Sequence, residues 1–205
     1  MSVELSKEKN NKVMVYLEYV MNAVIIIAFV IFLISGSWGN AVMTVVIFVL
    51  MITPTILKNR YKIHIPFELN FAVVLFIYLT LFLGGVRGFY DRFDLWDSVL
   101  HFQSGLLLGV IGFLLVYILN EQKSPRLTMS PGFISFFSFC FSLALAGIWE
   151  IYEFLSDSWF GSRMQESGLP DTMGDIIVNA IGALIVGIIG YLWMRRKNKL
   201  PFTPK

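Results

Sequence analysis

The sequence predicts an all-α integral membrane protein, a six-transmembrane-helix bundle with both termini cytoplasmic. Three observations predict it. Of 205 residues, 57% are hydrophobic and only 15% charged, with a mean hydropathy of +0.72, and a soluble domain of this size cannot hide so much apolar surface. The apolar residues gather into six runs near the ~20 residues that cross a bilayer as a helix. Lysine and arginine concentrate on alternate connections, as they do when one side of a membrane faces the cytoplasm.

In order, the runs are Val13–Ser35, Asn40–Leu57, Leu69–Val86, Ser98–Leu119, Gly132–Phe154 and Ile176–Met194. Runs this long and continuous are helical, because lipid offers no partner to an open backbone. The first is followed by no convincing small-residue cleavage site and reads as a retained anchor rather than a removed signal peptide. The second carries Pro54 near its end, where proline either kinks the helix or marks its exit. The fifth contains Cys140, the single cysteine, so no internal disulfide can form. No low-complexity linker, soluble domain or internal repeat interrupts the chain, and residues 1–205 read as one polytopic domain.

Orientation follows from the basic residues. Lys7, Lys9 and Lys12 precede the first run. Lys58, Arg60 and Lys62 fill the second connection, Lys123 and Arg126 the fourth, and Arg195, Arg196, Lys197, Lys199 and Lys205 the tail. Of sixteen basic residues, only Arg87, Arg92 and Arg163 fall on the other side. The tail follows Trp193 and Met194 directly and reads as a membrane-surface anchor, with no nucleic-acid partner implied. The acids do the reverse: Asp91, Asp94, Asp97, Glu150, Glu153, Asp157, Glu166, Asp171 and Asp175 all sit in the outer connections or the adjoining helix ends.

Three of those helix ends carry polar stripes. Asp94, Asp97 and His101 open helix four at spacings of three and four, so they share a face. Glu150, Glu153 and Asp157 do the same at the close of helix five, and Asp171, Asp175 and Asn179 at the opening of helix six. In the predicted topology all three stripes lie at one depth, on the outer side. Carboxylates, an amide oxygen and an imidazole suit a divalent ion such as Mg²⁺, Mn²⁺, Zn²⁺ or Fe²⁺. Acids on bundle helices with a histidine one turn away are a known way to hold one or two metals.

Blander readings compete at several positions. Asp94 and Asp171 are equally well read as helix N-caps, and Asp97 and Asp175 as acids favouring positive helix ends. Asp157 reaches for the aqueous edge. Arg163 either balances these acids or clamps a phosphate headgroup as a substrate-binding residue. Trp96, Trp149, Trp159 and Tyr90 fit an interfacial aromatic belt. Glu150 and Glu153 resist such readings, because acids near a helix C-terminus oppose the dipole and adjoin a lipid-length run. Gly105 and Gly109 on helix four, with Gly182, Ala183 and Gly187 on helix six, offer small faces for close packing.

The motifs "YDRFDLWDSVLHFQSG", "WEIYEF" and "MQESGLPDTMGDIIVNAIGA" together resemble the YjdF-like family of bacterial inner-membrane proteins, over about residues 60–195. More distantly, the chain is similar to VanZ-like membrane proteins. An Asp-x-x-x-His opening, a helix-end acid and an Asp-x-x-x-Asn-x-x-Gly helix correspond to Asp97 and His101, to Glu150, and to Asp175, Asn179 and Gly182. Glu153 stands where a glutamine is usual there, and the loop before Asp175 is longer, so no role for Arg163 carries over. The resemblance implies a multi-pass protein of the bacterial plasma membrane with a polar outer-leaflet site, and names no reaction.

Two functional classes follow, with a structural one beside them. In the enzyme version, a metal-dependent hydrolase or transferase acts on a membrane lipid or lipid-linked headgroup. Asp97, His101, Glu150 and Asp175 ligate the metal, Asn179 is an orienting ligand, and Glu153 and His101 exchange protons. In the transport version the same acids carry a cation or proton. In the structural version they form a hydrogen-bonded latch.

Overall fold

The computed structural model describes residues 2–61, 66–121, 129–162, 164–165 and 168–197. Lys62, Lys123, Arg126, Arg163, Glu166, Lys199 and Lys205 lie outside the described residues. All regular structure among the described residues is helical, and six helices are long and apolar enough to cross a membrane. The chain divides into two compact units, Met1–Trp96 and Asp97–Lys205.

The first unit contains α1 (Ser2–Ile34), α2 (Trp38–Tyr61) and α3 (Phe67–Ile77), which continues as a π-helix over Tyr78–Val86. Gly36, at φ 73°, lets the chain reverse between α1 and α2 within a few residues, the Ser37 N–H reaching back to the Phe32 carbonyl. Pro54 is not an exit: α2 continues through it to Tyr61. Met21, Ile25, Ile47, Met51, Val74 and Phe82 form the core where the three helices meet. The widened turn of the π-helix ends with the Arg87 N–H on the Phe82 carbonyl, and Gly84, lacking a Cβ, leaves room for the Tyr90 ring.

The second unit contains α4 (Trp96–Glu121), α5 (Pro131–Phe160) and α6 (Leu169–Lys197). Ser130 caps α5 by accepting from the Phe133 N–H, with Pro131 in the first turn where its missing donor costs nothing. The helix runs six residues past the end of its apolar stretch and stops at Gly161, in the left-handed conformation with φ 65°. Likewise α6 starts at Leu169, ahead of its apolar run, with Pro170 in its first turn. Polar ends are thereby added to apolar spans, and Glu150, Glu153, Asp157, Asp171 and Asp175 lie inside helices rather than beside them.

Packing in this unit follows the small residues. A Cβ on Gly105 would collide with the Asn179 carbonyl, and one on Gly182 would lie 2.5 Å from the Phe102 carbonyl. On the α5 side, a Cβ on Gly112 would come within 2.9 Å of the Ser138 backbone. The backbones of α4, α5 and α6 therefore touch, as small residues permit in membrane bundles. Ser138 donates to the Gly109 carbonyl at 2.6 Å and Ser142 to the Gly105 carbonyl at 3.3 Å, tying α5 to α4.

Candidate functional site

At one end of the second unit the start of α4, the closing turns of α5 and the start of α6 converge. His101, Glu150, Glu153, Asp175 and Asn179 are all buried there, at 7%, 4%, 5%, 3% and 0% exposure. Burying carboxylates in an apolar bundle is costly unless something compensates them. The arrangement of their oxygens and of the imidazole shows what that compensation could be.

His101 lies between two acids. Its Nε2 is 3.5 Å from Asp97 Oδ1, one turn earlier on α4, and its Nδ1 is 3.7 Å from Glu150 Oε1 on α5. Asp97, His101 and Asp175 each offer a ligand atom, and the three atoms lie within 4.8 Å of one another. Ser98 lies beside Asp175, whose Oδ2 is buried without a hydrogen-bond partner. Glu150 Oε1 and Glu153 Oε2 are in the same condition. Three buried carboxylate oxygens lacking donors, around one imidazole, form an acceptor-rich cage of the kind a cation fills.

Each acid is also held in place. The Trp149 indole donates to Glu153 Oε1 at 2.7 Å, and Glu153 stands within electrostatic reach of Glu150, Asp97 and Asp175. Glu150 is hydrogen-bonded by the Thr172 hydroxyl of α6, and Thr172 in turn accepts from the Gln165 side-chain amide. Asp157 anchors that chain of contacts. Its carboxylate accepts from the backbone N–H groups of Met164, at 2.6 Å, and Gln165, at 2.8 Å, and from the Ser162 hydroxyl. Asp157 thus shapes the loop that presents Gln165 to Thr172.

Asn179 has a different task from its neighbours. Its amide nitrogen donates to Ser104 on α4 at 2.8 Å, and its oxygen accepts from Ser142 on α5 at 3.4 Å. Both ends of the amide are engaged, so Asn179 clasps three helices one turn below Asp175. Asp171 is half-buried in the first turn of α6 and within electrostatic reach of His101 and Asp175. It is the third residue of that helix rather than its cap. Asp94 is exposed, precedes α4 by two residues and falls in the other unit. Arg163 lies outside the described residues.

The three stripes read from the sequence thus contribute unequally. Asp97, His101, Glu150, Glu153 and Asp175 come together, while Asp157 and Asn179 turn to loop and helix contacts. Ser98, Ser104, Ser142 and Thr172 complete the arrangement and were not among the expected site residues. Trp149, expected in an interfacial belt, orients Glu153. The serines and the threonine had one readable signal: Ser98, Ser104 and Thr172 lie within a turn of a site acid, histidine or amide, and Ser138 and Ser142 repeat at the four-residue spacing of small-residue packing.

An uncharacterised protein of Thermotoga maritima is similar to this chain, 25% identical over 139 residues that cover 68% of the chain and 70% of the relative. No solved structure matches the chain. A family described as predicted membrane protein (DUF2238) matches residues 17–196, a stretch that reaches into all six spans. On that match, the chain belongs to the DUF2238 family of predicted membrane proteins.

Proposed function

We propose that the second unit holds a divalent metal ion, Mg²⁺, Mn²⁺, Zn²⁺ or Fe²⁺, and with it hydrolyses or transfers a lipid or lipid-linked headgroup. The site would face the extracytoplasmic side of a bacterial inner membrane, with both termini cytoplasmic. One observation carries the reading: Asp97, His101 and Asp175 present ligand atoms within 4.8 Å of one another, beside buried carboxylate oxygens of Glu150, Glu153 and Asp175 that lack hydrogen-bond partners. A cation offsets the repulsion among such acids and would take the Asp175 oxygen that no donor reaches, with those of Glu150 and Glu153 left for the imidazole and a water.

The residues divide the work. Asp97, His101 and Asp175 hold the ion, with His101 using Nε2, the nitrogen on the Asp97 side. Glu150 Oε1, 3.7 Å from Nδ1, would close on the Nδ1–H once the ion is bound and so fix the imidazole tautomer, the usual partnership of carboxylate, histidine and metal. Glu153, fixed through Oε1 by Trp149, keeps Oε2 free of donors and takes the proton of an attacking water. Arg163 is the headgroup clamp, pairing with phosphate through its planar fork. Bound, the ion supplies Lewis-acid polarisation of the phosphoryl or carbonyl oxygen under attack.

Transport is less well supported. No Asp, Glu, Lys, Arg or His occurs in residues 102–120, 131–149 or 176–194, so the acids of the second unit lead to no ionisable path along its own helices. The likeness of the motifs to YjdF-like proteins supports the bacterial membrane and is silent on the reaction.

Metal content of the detergent-purified protein tests the reading, after loading with each ion, for wild type against Asp175→Ala and Glu150→Ala. Stoichiometric metal in the wild type and strong loss in Asp175→Ala are expected. No bound metal under any loading condition would overturn the site and leave the hydrogen-bonded latch. Lipid extracts from deletion and overexpressing cells test the chemistry: unchanged headgroups together with altered cellular cation levels would replace the enzyme by a transporter.

A further inference from the structure

The metal site does not account for the aromatic rings beside it. Trp149 and Tyr152 lie one turn apart on α5, and each is next in sequence to a buried acid, Glu150 or Glu153. Both rings open outward, at 38% and 52% exposure, with centroids 5.3 Å apart and planes tilted by 42°. Trp149 stands eighteen residues after Pro131, the first residue of α5, about 27 Å along the helix at 1.5 Å per residue. That length nearly equals the ~30 Å hydrocarbon core of a bilayer, so the pair stands where headgroups begin.

The chemistry of this surface is that of ring faces. A tryptophan of an interfacial belt keeps its polar N–H at the wet side, toward water and headgroups. The Trp149 N–H turns inward instead and donates to Glu153 Oε1 at 2.7 Å. The face of the indole, and not its N–H, is therefore what a headgroup meets. Hydrogen bonds polarise the groups they join, and an indole that donates to a carboxylate gains electron density in its ring. The adjoining acids likewise favour a cation at the rings and disfavour an anion. A glycerol or phosphate group needs hydrogen-bond partners that a ring face lacks, whereas an ammonium group is held by the face itself.

We propose that Trp149 and Tyr152 receive the ammonium end of a zwitterionic phospholipid headgroup, whose phosphate end is the part handled at the metal site. The inference rests on the reading of that site as one that acts on a lipid headgroup, and it narrows the substrate to an ammonium-bearing phospholipid. The two rings are separable. Trp149 also holds Glu153, whereas Tyr152 offers the headgroup a ring and stands outside the metal cage, so a change at Tyr152 alters headgroup preference and leaves the metal in place.

The test uses the full chain in nanodiscs of phosphatidylglycerol, which has no amine, loaded with Zn²⁺. It is titrated with glycerophosphoethanolamine and with glycerophosphoglycerol, the amine-free match, and followed by saturation-transfer NMR. Glycerophosphoethanolamine should bind about three- to fivefold more tightly, the worth of one exposed cation–π contact. Tyr152→Leu should lose most of that preference and Tyr152→Phe, which keeps the ring, should retain it, with equal metal content in all three proteins. Equal affinity of the wild type for the two probes, a preference unchanged in folded Tyr152→Leu, or one lost equally in Tyr152→Phe would each overturn the proposal. Metal content of the same samples separates the two readings. Full metal without the preference overturns the ammonium site alone, and the preference without metal overturns the metal site alone. Phosphatidylethanolamine added to the discs should displace glycerophosphoethanolamine. Failure to displace it would assign the rings to a soluble amine and overturn the lipid as their occupant.

Discussion

In the first unit the helices meet through Met21, Ile25, Ile47, Met51, Val74 and Phe82. In the second, large side chains (Phe113, Val116, Ile134 and Met194) meet away from the acids, and nearer the acids α4 meets its neighbours through Gly105, Gly109, Gly112, Ser138, Ser142 and Asn179. Among its large side chains, the first unit has a cavity of about 430 Å³ beside Asn70. Small residues let backbones touch, and at the end of that contact side chains as short as Asp97 and Asp175 reach one another. Small residues between helices thus accompany the close approach of the acids in the second unit. Glycine contacts there bring ligand atoms within reach of an ion.

The strongest way to break this comparison is to enlarge the residue at the closest contact. Gly105→Leu should separate α4 from α6, with loss of the monodisperse protein on size exclusion, since even Gly105→Ala must displace the Asn179 backbone. Overpacking of that kind costs about 1–3 kcal/mol or more. Gly39→Ala is the control in the first unit. A Cβ there meets nothing within 4 Å, and its thermal midpoint should hold or rise, alanine being favoured in helices by about 1 kcal/mol. Equal tolerance at the two glycines would sink the idea that glycine contact sets the spacing.

Next in size is Asp175→Ala, which removes one ligand of three and should abolish stoichiometric metal in the loading assay. Acidification of the wild type should release the ion in the same assay, because protons compete for the carboxylates and the imidazole. Glu150→Gln acts only through His101, and its metal affinity should fall by about 10–100-fold, the cost of losing an outer partner. Metal affinity unchanged in Glu150→Gln would remove Glu150 from the site.

The smallest effect concerns the loop that Asp157 shapes. Thr172→Val keeps the volume and deletes the hydroxyl between Gln165 and Glu150, so metal affinity should weaken by several-fold, the worth of about 1 kcal/mol for one hydrogen bond. A loss as large as that of Glu150→Gln would mean that Thr172 touches the ion itself.

Much of this was legible in the sequence. The six spans follow from apolar runs, and Asp97 with His101 follows from a four-residue spacing that puts both on one helical face. That Glu150 and Glu153 are buried follows from their place beside a lipid-length run. Other parts were not. Glu150 lies ten residues from the end of α5 rather than near it, because the helix continues through polar residues that hydropathy counts as loop. Asp157 reads like its neighbours but spends its oxygens on backbone donors of residues 164 and 165. Ser104 and Ser142 resemble any serine of an apolar helix, since a hydroxyl there can equally return to its own backbone, as Ser104 also does with the His101 carbonyl at 2.7 Å.

By itself the sequence determined the helices and the class of the protein, because hydrogen bonding within a helix and hydrophobic length are local properties of the chain. It also determined which residue types stand at each helix end. Only the tertiary structure decided which acids share a cage. That choice depends on the rotation of each helix about its axis, set where Gly105 meets Asn179 and Gly182 meets Phe102. Those contacts turn Asp97, His101 and Asp175 inward, the bonds of Ser138 and Ser142 to α4 do the same for Glu150, and no spacing along a single helix encodes them.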